Sequence, residues 1–275
     1  MLRKLLKYDL RAVFRVWWIA AAISLLMAVL GGACLYVRAN KKFFPDEMYV
    51  LAGVMVFFVY FSLAALLVLT MVLIFVRLFG NFFTDEGYLT FTLPVSRLQL
   101  VNSKVITGFS AITVTELLIA VEIGLMLFIR DPEKIISPLF WNSLKRGWEE
   151  ITQALGNYIW IYMLEALALA LLYTAFCVLF LYVCISFASM IVKKGKLIAA
   201  IGIYYGANSL MVSIMQLFAL FGLNSLGYWM DNLSTRQALN STVFILLGLI
   251  CFIAMFCGLL YGLQYYLVDK KLNLS

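Results

Sequence analysis

The sequence predicts an all-α membrane protein. It is expected to be a six-transmembrane-helix bundle with an N-terminal interfacial helix and a cytoplasmic segment between helices 2 and 3. Three observations carry that prediction. First, the 275 residues are 65% apolar and 13% charged, against about 45–50% and about 25% in soluble domains. A soluble fold of this length has too little interior to hide so much apolar side chain, whereas lipid replaces water around the outer faces. Second, the apolar residues gather into six runs of spanning length. Third, Lys and Arg cluster beside those runs, as topology-setting charges do.

Residues 1–15 read as the interfacial helix. Leu2, Leu5, Leu6, Leu10 and Val13 recur at helical spacing, with Arg3, Lys4, Lys7 and Arg11 on the other side, the pattern of a helix lying in the headgroup plane. The first span follows at Val16–Val37, with Trp17 and Trp18 marking the membrane interface. It lacks a small-x-small cleavage pattern after it and is expected to be retained. The second span is Val50–Val76 and the third Val105–Ile129. The fourth, fifth and sixth are Tyr158–Val192, Leu197–Leu223 and Val243–Val268. Residues 77–104 form the cytoplasmic coupling region, and 130–157 and 224–240 are expected as external loops. Asp131-Pro132 and Ser137-Pro138 interrupt any helix that continues from the third span. Residues 1–275 form a single transmembrane domain in this reading.

An even number of spans puts both termini on one face. Both are basic, and so is the tight turn Lys193–Lys196, which makes that face cytoplasmic. The net charge of +7 then serves topology and anionic headgroups rather than nucleic acid, for which no basic surface is left. The five cysteines, Cys34, Cys177, Cys184, Cys251 and Cys257, fall inside apolar runs without ligand-like neighbours. They read as small apolar residues, not as a disulfide framework or a metal site.

The sequence has no histidine, so it has no His-dependent triad and no His-Glu-x-x-His zinc site. It also lacks a P-loop and a Gly-x-Ser-x-Gly elbow. No catalytic residue is assigned, and the chain is not expected to be an enzyme. Three carboxylates lie within or near spans: Glu116, Glu122 and Glu165. A charge at mid-depth costs at least about 2.5–3.5 kcal/mol, so such a group faces protein or water, or is protonated. Glu116 lies nearest mid-depth and is the candidate for a translocation path. The plainer reading is a carboxyl hydrogen-bonded to a neighbouring helix. Gly202, Gly206, Gly258 and Gly262 form two Gly-x-x-x-Gly pairs, which let helix backbones approach closely. Packing within one bundle is favoured over a subunit interface.

The connection between the second and third spans carries the most information. Asp85 and Glu86 are an acidic pair, Gly87 permits a turn, and Pro94 stops local pairing. Ser96 with Gln99 forms a capping box that starts a helix at Arg97. Phe82, Phe83 and Tyr88 are aromatic side chains able to fill a groove on another protein, with Asp85 and Glu86 facing basic partner residues.

The run from Glu86 to Lys104, with its core Glu-Gly-Tyr-Leu-Thr-Phe-Thr-Leu-Pro-Val-Ser-Arg, resembles the ABC-2 type permeases of ABC exporters, especially small permeases of Gram-positive bacteria. In that family an acidic-glycine element and a Leu-Pro-Val-Ser-Arg-like element, then a lysine, lie between the second and third spans. The opening Leu5-Leu6-Lys7-Tyr8-Asp9 and the closing Lys270-Lys271-Leu272-Asn273-Leu274 are similar to family termini. The resemblance does not reach the long segment Arg130–Asn157. It implies a multi-pass permease of the plasma membrane whose segment between spans two and three, with Asp85, Glu86, Gly87, Tyr88, Pro94 and Arg97, contacts a separate ATPase subunit. It implies a second permease subunit as well, a copy of this chain or a homologue. ATP and magnesium would then be bound by the partner ATPase, with no cofactor in this chain. The alternative is a self-sufficient secondary transporter or channel with Glu116 as coupling residue. A membrane-embedded lipid-modifying enzyme is disfavoured by the missing catalytic sets.

Overall fold

The structure is a computed structural model, and it describes residues 2–83, 87, 92, 94–192, 195–230 and 235–271. Among the described residues every element is helical and no strand occurs. The helices are α1 (Leu2–Ala39), α2 (Asp46–Phe83), α3 (Arg97–Arg130), α4 (Pro132–Ile136), α5 (Pro138–Leu155), α6 (Tyr158–Ile191), α7 (Lys196–Met230) and α8 (Thr235–Tyr266). A 3-10 turn, Lys41–Phe43, links α1 to α2, and a π-helical turn, Leu267–Lys271, follows α8. Six helices are long and apolar enough to cross a membrane: α1, α2, α3, α6 and the stretches Lys196–Leu217 and Gln237–Asp269. They coincide with the six runs expected from hydropathy. The helices outrun those runs because a 38-residue helix is about 57 Å long, whereas the hydrocarbon core is about 30 Å thick.

Local chemistry explains most of the helix ends. The Asn40 amide donates back to the Tyr36 carbonyl at 3.0 Å and closes α1. Phe44 is extended, as a residue before proline must be. Asp46 and Glu47 in the first turn of α2 sit where the helix dipole favours negative charge. At α3 the expected cap is present: the Gln99 amide reaches Ser96 Oγ at 3.4 Å and the Ser96 carbonyl at 2.9 Å. Gly195, with φ of 76°, makes the turn from α6 into α7, a conformation that L side chains resist.

Three expectations meet a different structure. Residues 1–15 are not a helix separate from the first span, because one helix runs unbroken from Leu2 to Ala39. Of its apolar stripe, Val13 is buried and Leu2, Leu5, Leu6 and Leu10 are half-buried, while Arg3, Lys4, Lys7 and Arg11 are exposed. Segment 130–157 is largely helical rather than a loop. Pro132 and Pro138 stop the preceding helix, and each then occupies the first position of a new one, where the missing N–H costs nothing. Segment 224–240 is also mostly helix, since α7 continues to Met230 and α8 begins at Thr235.

The chain divides into two compact units, residues 1–77 with 106–151 and residues 78–105 with 152–275. The first unit packs α1, the larger part of α2 and the membrane part of α3. Its apolar core is Ala28, Val59, Leu63 and Met126. Gly31 and Gly32 make this approach possible. A methyl group on Gly31 would stand 2.7 Å from Val59 Cγ1, and one on Gly32 would stand 2.7 Å from Ile129 Cβ.

The second unit packs the end of α2 and the start of α3 with α6, α7 and α8. Here α6 is central, with 44% of its spanning stretch buried, against 6% in α7 and 6% in α8. Most residues of these two spanning stretches are half or fully exposed, as in spans that face lipid or another subunit.

Candidate functional site

The site expected between the second and third spans is described at its two ends. Asp85, Glu86 and Tyr88 lie outside the described residues. Gly87 is buried, and a Cβ there would meet the Phe82 carbonyl oxygen at 2.9 Å. Backbone cannot yield as a flexible side chain can, so glycine is required at this position for close approach. Pro94 is exposed. Phe82 is fully buried within the chain, its ring 6.3 Å from that of Phe83. It is therefore unavailable as an anchor for a partner's groove, contrary to expectation, and it packs at the C-terminal end of α2 instead.

From Arg97 onward the segment is tied to the C-terminal half of the chain. Arg97 Nη1 donates to the Asp269 backbone carbonyl and lies 3.2 Å from its carboxylate Oδ1. Asn102 Oδ1 accepts from the Tyr261 hydroxyl of α8. The Lys104 carbonyl accepts from the Tyr182 hydroxyl of α6 at 3.0 Å, and Lys104 itself is buried. One helical turn away, Ser186 Oγ donates to Gln264 Oε1 at 3.0 Å and joins α6 to α8. The start of α3 is thus clamped on three sides, to α6, to α8 and to the turn after α8. Tyrosine suits this role, because its ring packs among apolar helices while its hydroxyl reaches a polar partner.

The second candidate set is the intramembrane polar residues. In the first unit they form a ladder along α1. Asp9, 5% exposed, lies 3.5 Å from Arg77 Nε. Trp17 Nε1 donates to Thr115 Oγ1 at 2.8 Å, and Thr115 shares a 3.0 Å hydroxyl contact with Thr70. Ser24 Oγ donates to Glu122 Oε2 at 2.9 Å, and Glu122 is wholly enclosed. Its Oε1 has no hydrogen-bond partner among the described residues. Trp17 is therefore an internal residue and not an interface marker, whereas Trp18 is 65% exposed.

Glu116, ranked first from its depth, is only half-buried. Glu165 is 1% exposed, and neither of its carboxylate oxygens has a hydrogen-bond partner among the described residues. It lies one turn from Tyr162, whose hydroxyl contacts Thr242 Oγ1 at 2.6 Å across the α6–α8 contact. The more enclosed carboxylates are thus Glu122 and Glu165.

The four glycines of the Gly-x-x-x-Gly pairs do not mediate packing inside the chain. A Cβ built on Gly202, Gly206, Gly258 or Gly262 meets nothing within 4 Å. The internal close approach falls instead on Gly31 and Gly32, which are adjacent and have no such spacing to reveal them. Among the described residues no group of His, Cys, Asp and Glu could hold a metal ion, and the five cysteines are free.

Asp9, Gln264 and Asp269 were missed by sequence reasoning, and two of them left a trace there. Asp9 interrupts an otherwise apolar stripe at the spacing of Leu2, Leu5, Leu6 and Val13. Asp269 is the acid within a basic terminus. No family model matches this chain, and no curated protein or solved structure does.

Proposed function

We propose that this chain is the transmembrane permease subunit of an ATP-driven exporter, working with a separate ATPase subunit and a second permease subunit. The observation that carries the reading is the run Glu86–Lys104, similar to the ABC-2 type permeases, whose described end is clamped to α6 and α8. A push delivered to that connection would reach both helices through Arg97, Asn102 and Lys104. Catalysis would belong to the partner, which binds ATP and magnesium. This chain would sit in the plasma membrane with both termini cytoplasmic and would supply the path. The second subunit would be a copy or a homologue. The open faces of Gly202, Gly206, Gly258 and Gly262 favour an approach by another subunit over packing within the chain.

The proposed ATPase contact is tested by the double variant Glu86→Ala/Tyr88→Ala. Aromatic anchors cost about 2 kcal/mol or more when truncated, while rim charges mostly change association rate and salt dependence. Weaker ATPase association, or hydrolysis uncoupled from transport, is expected at unchanged membrane abundance. Full binding with normal coupled activity would remove the coupling assignment.

A second reading, a self-sufficient secondary transporter, is favoured by one observation: two enclosed carboxylates, Glu122 and Glu165, with oxygens that no described group satisfies. Transport that persists without any ATPase would select it, with these residues joining Glu116 as candidates for coupling.

A further inference from the structure

We infer that α5, between the third and fourth spans, is an interfacial helix whose apolar face lies in the headgroup layer of the membrane. At about 100° per residue, Phe140, Trp141, Leu144, Trp148, Ile151 and Leu155 share one face of roughly 100°. The opposite side carries Asn142, Lys145, Arg146, Glu149, Glu150 and Gln153. No residue of the helix is buried. Trp141 is 59% exposed, Leu144 52%, Trp148 45% and Ile151 49%. Left in water, two indoles and several aliphatic chains would stay wet. A spanning role is closed to this helix by the four charges at its centre.

Chain connectivity selects the occupant of the apolar face. Only residues 131–137 separate α5 from the end of α3, and only Gly156 and Asn157 separate it from α6. Gly156, with φ of 55°, ends the helix, its N–H bonded to the Thr152 carbonyl at 2.8 Å. Two linking residues hold that end within about 10 Å of Tyr158, where the spanning stretch of α6 begins among Tyr158, Trp160 and Tyr162. The helix is therefore held at the level where aromatic side chains meet headgroups. An amphipathic helix placed there sinks its apolar face about 5–10 Å into the boundary between headgroups and acyl chains. Its polar face balances Lys145 and Arg146 against Glu149 and Glu150, so apolar burial rather than attraction to anionic lipid holds it down. The partner is a lipid surface, and a zwitterionic one suffices. This inference stands whether or not an ATPase drives the chain.

The test uses the full chain in nanodiscs of phosphatidylcholine, with or without brominated acyl chains. The emission of Trp141 and Trp148 is the difference between the native chain and Trp141→Phe/Trp148→Phe. That difference should be blue-shifted, lose most of its intensity with brominated lipid, and resist aqueous iodide. It should not change when salt is raised or anionic lipid is added. In a Leu144→Lys/Ile151→Lys background it should shift to the red and become open to iodide. Quenching by iodide without quenching by brominated lipid in the native chain places α5 in water and overturns the inference. Protection from both quenchers places it against protein, a second copy first among the occupants, and overturns it equally.

Discussion

Trp17 and Trp18 are chain neighbours with opposite surroundings, because one residue turns a helix by about 100°. The Trp17 indole bonds to Thr115, and the Trp18 indole faces outward. The glycines divide in the same way. At Gly32 an added side chain meets Ile129 Cβ, an atom that cannot swing aside. Gly32→Leu should cost about 1–3 kcal/mol through overpacking. At Gly206 the space is open, so Gly206→Ala should be neutral or gain up to about 1 kcal/mol of helix propensity. Thermal unfolding of the purified chain in detergent checks the contrast, and equal midpoints for the two variants would contradict it. Glu165 has the reverse sign. A buried polar group without a partner costs about 1–3 kcal/mol, so Glu165→Leu should raise the unfolding midpoint. If the carboxyl is kept for transport, the same variant should lose transport as it gains stability. A lowered midpoint would mean that Glu165 is satisfied by a group beyond the described residues.

Helix by helix, the spans were legible because hydropathy over about 20 residues reports the solvent of a helix directly. The cap at Ser96 was legible too, since capping is written in side chains three residues apart. The α5 helix was written in its 3.6-residue periodicity, but Pro132 and Pro138 were read only as breakers, although proline starts helices as readily as it ends them. The clamp on α3 could not be read at all. Arg97 and Asp269 are distant in sequence, and nothing local says which basic residue meets which acid. The pair is half exposed, so its worth to stability is about 0.2–1 kcal/mol. Its importance would lie in transmission. Arg97→Ala and Asp269→Ala should each leave the unfolding midpoint nearly unchanged while lowering transport per ATP hydrolysed. The double variant should lose no more than the worse single one. Additive losses would show that the two residues act separately.

Across the whole molecule, composition alone places the chain in a membrane, and the structure supplies six helices fit to span it. Which polar residues end up enclosed depends on how the helices turn toward one another, and no single run of sequence carries that information. For this reason Glu116 stood out by depth, whereas Glu122 and Glu165 stand out by burial. The connection 78–105 belongs to the same compact unit as 152–275, so any force applied there would act first on α6, α7 and α8. Two of these helices keep only 6% of their spanning stretch buried, which leaves much of their surface to lipid or a second subunit. Under the proposed function, the energy for moving helices comes from another chain. Affinity purification of the native chain from its own membranes in mild detergent, with identification of the chains that accompany it, tests this most directly. The proposed function predicts a P-loop ATPase in stoichiometric amount, with the Glu86→Ala/Tyr88→Ala variant retaining less of it or hydrolysing ATP without transport. A chain that comes out with no ATPase under any mild condition, yet transports when reconstituted alone, would contradict it.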